Sequence, residues 1–198
     1  MSNRTLIKLL YIDDNIDFKL EEYLDTRLQE SLGNGISLQF SKLVFKDYES
    51  AILSKEVAES NVILIDSRLF EDATAQNGKF TGEQFKLILK KFHPFIEVIV
   101  ITSKDNIGDL TVKKYSGNGI AFEYYDQNLK PVIKKAINNI IEFKKIAVTL
   151  NNSNELDKYL LDKIYNSLNG EDIYDELKKE DIDDAITVFK QIQERLDG

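Results

Sequence analysis

The chain has 198 residues, 42% hydrophobic and 30% charged, with a formal net charge of −8, one histidine and no cysteine. This composition excludes a disordered or bilayer-spanning chain, because no apolar run nears the roughly 20 residues a membrane helix needs, and it excludes disulfides, thiolate catalysis and cysteine-based metal sites. Residues 149–198 carry 13 of the 34 acidic side chains but 6 of the 26 basic ones, a bias that nucleic acid would repel. Met1-Ser2-Asn3-Arg4 leads into a strand rather than a signal-peptide core, so a cytoplasmic location is expected, away from membranes.

Short apolar runs alternate with longer amphipathic ones through residue 148, the pattern of repeated βα units. The first strand spans 6–12 and ends in Asp13-Asp14; a helix over 17–32 follows, with Phe18, Leu20, Leu24 and Leu28 near helical spacing. Gly33-Asn34-Gly35 stops it. A second strand, 36–45, alternates Ile36, Leu38 and Phe40, and Asp47 is the expected N-cap of a helix through residue 59. Residues 62–65 are wholly apolar, as a strand covered on both faces should be, and end in Asp66. A polar loop, 67–81, precedes a helix over 82–92 that His93-Pro94 ends. The fourth strand, 97–102, ends in Thr102-Ser103.

A weaker helix is expected over 105–116, a fifth strand over 120–125, and a last helix from Pro131 to residue 148, with Pro131 suited to its first turn. Asn151-Asn152-Ser153-Asn154 reads as a break, dividing a domain over 1–148 from an acidic helical extension over 149–198. The extension shows apolar stripes, Leu156, Tyr159, Leu160 and Ile164, then Ile182, Ile186, Phe189, Ile192 and Leu196. Short helices cannot bury such stripes alone, so they pack on the main domain, on a second copy in a homodimer, or on a partner.

In α/β sheets the ligand crevice lies beyond the carboxyl ends of the strands, so Asp13, Asp14, Asp66 and Thr102 are expected to converge on one acidic pocket suited to Mg²⁺. The lone histidine cannot anchor zinc, and the Gly-Asn-Gly turns lack the spacing and lysine of a phosphate loop.

The ordered set Leu9-Leu10-Tyr11-Ile12-Asp13-Asp14, Val62-Ile63-Leu64-Ile65-Asp66, Gly82-Glu83-Gln84-Phe85 and Val98-Ile99-Val100-Ile101-Thr102-Ser103 resembles the receiver domain of two-component response regulators over about residues 5–145. The resemblance implies a doubly wound, flavodoxin-like α/β fold, five parallel strands in the order 2-1-3-4-5, followed here by the helical extension. It implies Asp66 as phosphoacceptor and Thr102 as switch hydroxyl. It further implies Mg²⁺ held by Asp13, Asp14, Asp66 and the backbone carbonyl of Arg68. The implied donor is a histidine kinase or related ATPase. The implied output is a protein target met on the face of the fourth and fifth strands and the helix between them, or on the C-terminal helices. Such a protein is a switch rather than a turnover enzyme.

Two features depart from the family pattern. The family's fifth strand ends in Lys-Pro, whereas the register above puts Asp126 there and Lys130-Pro131 four residues later, leaving Lys130 or Lys104 to reach in by another route. The loop after Asp66 is longer than usual, with Phe70 where the family often has Pro. Alternatives are a pseudo-receiver scaffold that is never phosphorylated and a phosphate sink or shuttle. A metal-dependent phosphohydrolase is disfavoured because Arg68 stands where its second aspartate belongs.

Overall fold

The computed structural model describes residues 4–45, 48–68, 81–104, 108–153 and 158–169, with 180, 183, 184, 187, 188 and 191. Five parallel strands, β1 (Thr5–Ile12), β2 (Ile36–Leu43), β3 (Val62–Asp66), β4 (Glu97–Thr102) and β5 (Thr111–Lys113), form one sheet in the order β2-β1-β3-β4-β5. This is the flavodoxin-like order, with the chain reversing direction across the sheet between β1 and β3. Every residue of β3 and β4 is buried, which explains the unbroken apolar runs 62–65 and 98–101 within them.

Two layers of helix cover the sheet. On one face α1 (Phe18–Glu22), a π turn (Tyr23–Arg27) and α2 (Leu28–Ser31) run on as a single rod, capped by Asp17, whose carboxylate accepts from the N–H of Lys19 and Leu20. Leu20, Tyr23, Leu24 and Leu28 from this rod meet Ile7, Leu9, Tyr11, Leu64, Ile99 and Val112 of the sheet, together with Tyr125, Leu129, Ile133, Ile137 and Ile140 of α6 (Ala121–Ser153). On the other face Ile52 of α3 (Tyr48–Ile52), Val57 of α4 (Lys55–Ala58) and Phe85, Ile88 and Leu89 of α5 (Gly82–Phe92) pack on Leu10, Ile12, Ile63, Ile65, Val98 and Val100.

Several elements differ from the sequence expectation. The helix expected through residue 59 is two short ones, because Ser54 caps α4 afresh by accepting from the Val57 N–H; Asp47, its expected N-cap, lies outside the described residues, as do Phe70 and most of the 67–81 loop. The fifth strand is Thr111–Lys113, not 120–125, and it occupies part of the segment expected to be helical. Residues 120–125 instead begin α6, in which Phe122, Tyr125, Leu129 and Ile133 recur at helical spacing against the core. Pro131 is inside this helix rather than in its first turn, and both it and Gln127, whose carbonyl it cannot serve, are exposed residues.

The crossover from β4 to β5 carries no helix among the described residues, and Leu110 takes a left-handed φ of 52° to bring its side chain into the core while its carbonyl accepts from the Val100 N–H at 3.0 Å. Asn151, Asn152 and Ser153 continue α6 rather than breaking it, so residue 148 falls within that helix. Beyond it α7 (Lys158–Asn169) folds back onto the main body, burying Leu161 and Leu168 while Tyr159 and Leu160 of the expected stripe face outward. Buried Asn61, just before β3, accepts from the Lys8 N–H and donates to the Leu168 carbonyl, tying α7 to the amino edge of the sheet. The whole of the second stripe lies outside the described residues. Among the described residues no helix is long and apolar enough to cross a membrane.

Candidate functional site

Strand register assembles the site. Ile12 pairs with Ile65 across β1 and β3, so Asp13 and Asp66 follow side by side on the two central strands, with Asp66 paired in turn to Ile101 of β4. Alternation along β1 and β3 turns both carboxylates toward the face covered by α1 and α6, where Tyr11 and Leu64 precede them. Both acids are buried, at 2% and 5% exposure.

Asp66 is held from two sides. Its Oδ1 accepts from the Arg68 N–H at 2.7 Å, and the Lys114 ammonium, one residue past β5, donates to its Oδ2. Partial burial opposes the charge on Lys114, but the hydrogen bond and charge of Asp66, with Asp13 and Asp17 beyond, hold its pKa above the ordinary lysine value. An ammonium therefore does reach Asp66, and it comes from Lys114. Asp126 is not in that place: it lies on α6, where it accepts from Arg27, Tyr23 and Lys130 and joins α6 to the α1–α2 rod. Lys130, bonded first, then Arg27 and Tyr23 hold the Asp126 carboxyl at about 2 against the opposing effect of burial.

Asp13 has no salt-bridge partner among the described residues. Its Oδ2 accepts from the Tyr11 hydroxyl at 2.6 Å and its Oδ1 from the Asn15 N–H at 3.0 Å. Burial, aided by the charge of Asp66, nevertheless pushes its pKa up to about 6. The phenol of Tyr11 is pushed far above its ordinary value by burial and then by the bond to Asp13, so it stays a donor.

The remaining expected residues lie around this pair. Asp14 is exposed. Thr102 is buried but shares the parity of Val98 and Val100, and its hydroxyl accepts from the Lys104 N–H at 3.2 Å. Its carbonyl accepts from the Lys114 N–H at 2.6 Å, so the switch candidate is tied to the Asp66 partner through backbone. The exposed Arg68 guanidinium donates to Ser103 at 3.3 Å.

A support beneath Asp66 was not expected from sequence. Buried Ser67 donates to both oxygens of Glu83 at 2.8 and 2.9 Å, its N–H donates to Ile101 O at 2.7 Å, and its carbonyl accepts from the Gly82 N–H at 3.0 Å. Although burial opposes the charge, hydrogen bonds from Ser67, its own backbone and Thr81, with the charge of Lys104, lower the Glu83 pKa. Gly82 packs so closely that a Cβ there would lie 2.5 Å from the Asp66 carbonyl oxygen. The Thr81–Gln84 capping box fixes the start of α5 at this contact.

Among the described residues no group of three or more His, Asp or Glu side chains is gathered closely enough to enclose a metal ion. Mg²⁺, however, commonly takes one or two carboxylates and completes its shell with water and phosphate oxygen. Asp13 and Asp66 supply the hard oxygen donors it prefers, and Asp13 is a buried carboxylate short of neutralising charge, so the donor set fits. No family model, curated protein or solved structure matches this chain.

Proposed function

We propose that the chain is a receiver-like switch that accepts a phosphoryl group on Asp66 from the phosphohistidine of a kinase and passes its state to a protein partner in the cytoplasm. The observation that carries this reading is the pairing of buried Asp66 with Lys114 at the carboxyl edge of β3, beside a second buried carboxylate, Asp13. A carboxylate oxygen of Asp66 forms the new bond to phosphorus as the bond to the histidine nitrogen breaks and that nitrogen takes up a proton. Lys114, already on Asp66, is placed to move to an incoming phosphoryl oxygen, and Thr102 supplies a hydroxyl from β4. Mg²⁺, held by Asp13 and Asp66 with Asp14 and the Arg68 carbonyl at its margin, would neutralise charge on the transferring group.

Output is assigned to α6. Tyr124 of α6 donates to the Lys113 carbonyl at 2.7 Å, and Tyr115 contacts the rings of Tyr124 and Tyr125 at 5.5 and 6.0 Å, so both chain neighbours of Lys114 rest on α6.

Incubation with acetyl phosphate and Mg²⁺, read by intact mass, should add one phosphoryl group to the wild type and none to Asp66→Asn. Beryllofluoride should bind in a Mg²⁺-dependent way that Asp66→Ala abolishes. A protein that takes up neither ligand refutes the proposal. It would then favour the non-phosphorylated scaffold, a reading supported by the exposed position of Asp14 outside any three-acid cluster.

A further inference from the structure

We infer that Tyr11 is a positioning residue for divalent-cation binding, its hydroxyl holding the Asp13 carboxylate in the orientation in which it meets the cation. The inference rests on the phosphoacceptor reading and adds a residue that reading does not require. Tyr11 is 1% exposed, with its ring among Leu20, Tyr23 and Leu24 of the helical rod and its hydroxyl at the sheet edge, 2.6 Å from Asp13 Oδ2. A phenol on a packed ring has almost no freedom of aim, so the carboxylate inherits its orientation from the core.

The hydroxyl is itself held, because the Asp17 N–H donates to it at 3.4 Å and the Asp17 side chain caps α1. Asp13 Oδ1 accepts from Asn15 N–H, so each oxygen has one protein donor and keeps lone-pair capacity for a cation. An apolar side chain at this point of β1 would serve the core as well, as Ile7 and Leu9 do four and two residues earlier. The core therefore has no need of the hydroxyl; its one strong partner is the carboxylate beside Asp66.

Tyr11→Phe removes that hydroxyl and keeps the ring. Mn²⁺ as the probe, with free and bound ion distinguished by electron paramagnetic resonance, should bind the variant about tenfold more weakly than the wild type, the usual scale for losing a partner that orients a metal ligand. With acetyl phosphate, the Mg²⁺ concentration for half-maximal labelling should rise by a similar factor while the rate at saturating Mg²⁺ changes little. A circular-dichroism melt in EDTA checks the fold. Should the variant not fold, the wild type answers alone: Mg²⁺ should perturb its tyrosine ultraviolet difference spectrum, and a flat spectrum overturns the inference. Equal Mn²⁺ affinity in the two proteins, with or without a lower melting temperature, overturns it while leaving the phosphoacceptor reading intact. A wild type that binds no Mn²⁺ and takes no phosphate removes both.

Discussion

Gly82→Ala tests whether close contact between α5 and the Asp66 backbone sets the site. At an unconstrained helical position the substitution stabilises by about 1 kcal/mol, because alanine loses less backbone entropy. Gly82 has no left-handed φ to forbid alanine, but the added Cβ would stand 2.5 Å from Asp66 O and 3.1 Å from both Asp66 C and Ser67 Cα. All three are backbone atoms. Asp66 is paired to Ile101 on β4 and the Ser67 N–H donates to the Ile101 carbonyl, so neither side of the contact can yield without disturbing the sheet. Overpacking against a rigid neighbour costs about 3 kcal/mol, leaving a net loss of about 2 kcal/mol and a melting temperature lower by about 4–8 °C. Circular dichroism measures the melt, and labelling by acetyl phosphate should slow in the same variant because the carbonyl that moves belongs to the phosphoacceptor. An alanine variant at least as stable as the wild type, labelled at the same rate, would refute the argument.

Lys114→Met keeps the stem and removes the ammonium, leaving buried Asp66 without its cation; with 40% of the Lys114 side chain exposed, the loss should be about 1–2 kcal/mol rather than the full cost of breaking a buried pair. Asp66→Asn in that background should recover most of it, and additive effects in a urea-denaturation double-mutant cycle would show the two side chains to be independent. Asp13 sets the pH dependence of the metal-free protein. Its folded pKa of about 6 lies above the ordinary 3.8, so the folded state binds this proton more tightly and stability falls as pH rises through 6. From about pH 5 to about pH 7.5 in EDTA, urea denaturation should show a loss of about 1.5 kcal/mol from this group, absent in Asp13→Asn and reduced by saturating Mg²⁺. The opposite effect of Asp126, held at about 2, enters only as pH falls below the ordinary carboxylate range. A flat profile in EDTA would show that burial does not strain Asp13.

Four of the five strands are legible in the sequence, β2 from its alternation of Ile36, Leu38 and Phe40 and the other three for one physical reason. The interior of a parallel sheet must be apolar on both faces, so 6–12, 62–65 and 97–102 could be read as strands and their terminal residues as its carboxyl edge. β5 escaped because it is short and lies at the edge: Val112 alone enters the core, while Thr111 and Lys113 are half-buried and exposed. Its sequence therefore resembles a surface turn, and the lysine just beyond it went unrecognised. The same ambiguity extends to α6, where an aromatic run in 120–125 mimics a strand until Leu129 and Ile133 extend its spacing to a helix, and where a proline tolerated on a solvent-facing turn imitates a helix start. Tyr11 was hidden differently, since β1 alternation assigns it to the core and only its hydroxyl reaches the site.

With β5 in its observed place, α6 touches both edges of the sheet. Near its start, Tyr124 and Tyr125 meet the residues flanking Lys114. Its far end packs with α7, and α7 is fastened to the amino edge through Asn61 and the Leu168 carbonyl. A helix of 33 residues is about 50 Å long, so a displacement at one end appears as tilt at the other, with Pro131, where a backbone hydrogen bond is missing, a point at which it can flex. A receiver that signals through the helix between its fourth and fifth strands needs that helix, and the short crossover from Thr102 to Thr111 carries none among the described residues. Under the phosphoacceptor reading, the physical route from Asp66 to the acidic extension therefore runs through Lys114, the tyrosine cluster and α6. α7 would register such a tilt through its packing on α6, against the anchor that the buried amide of Asn61 gives it at the sheet.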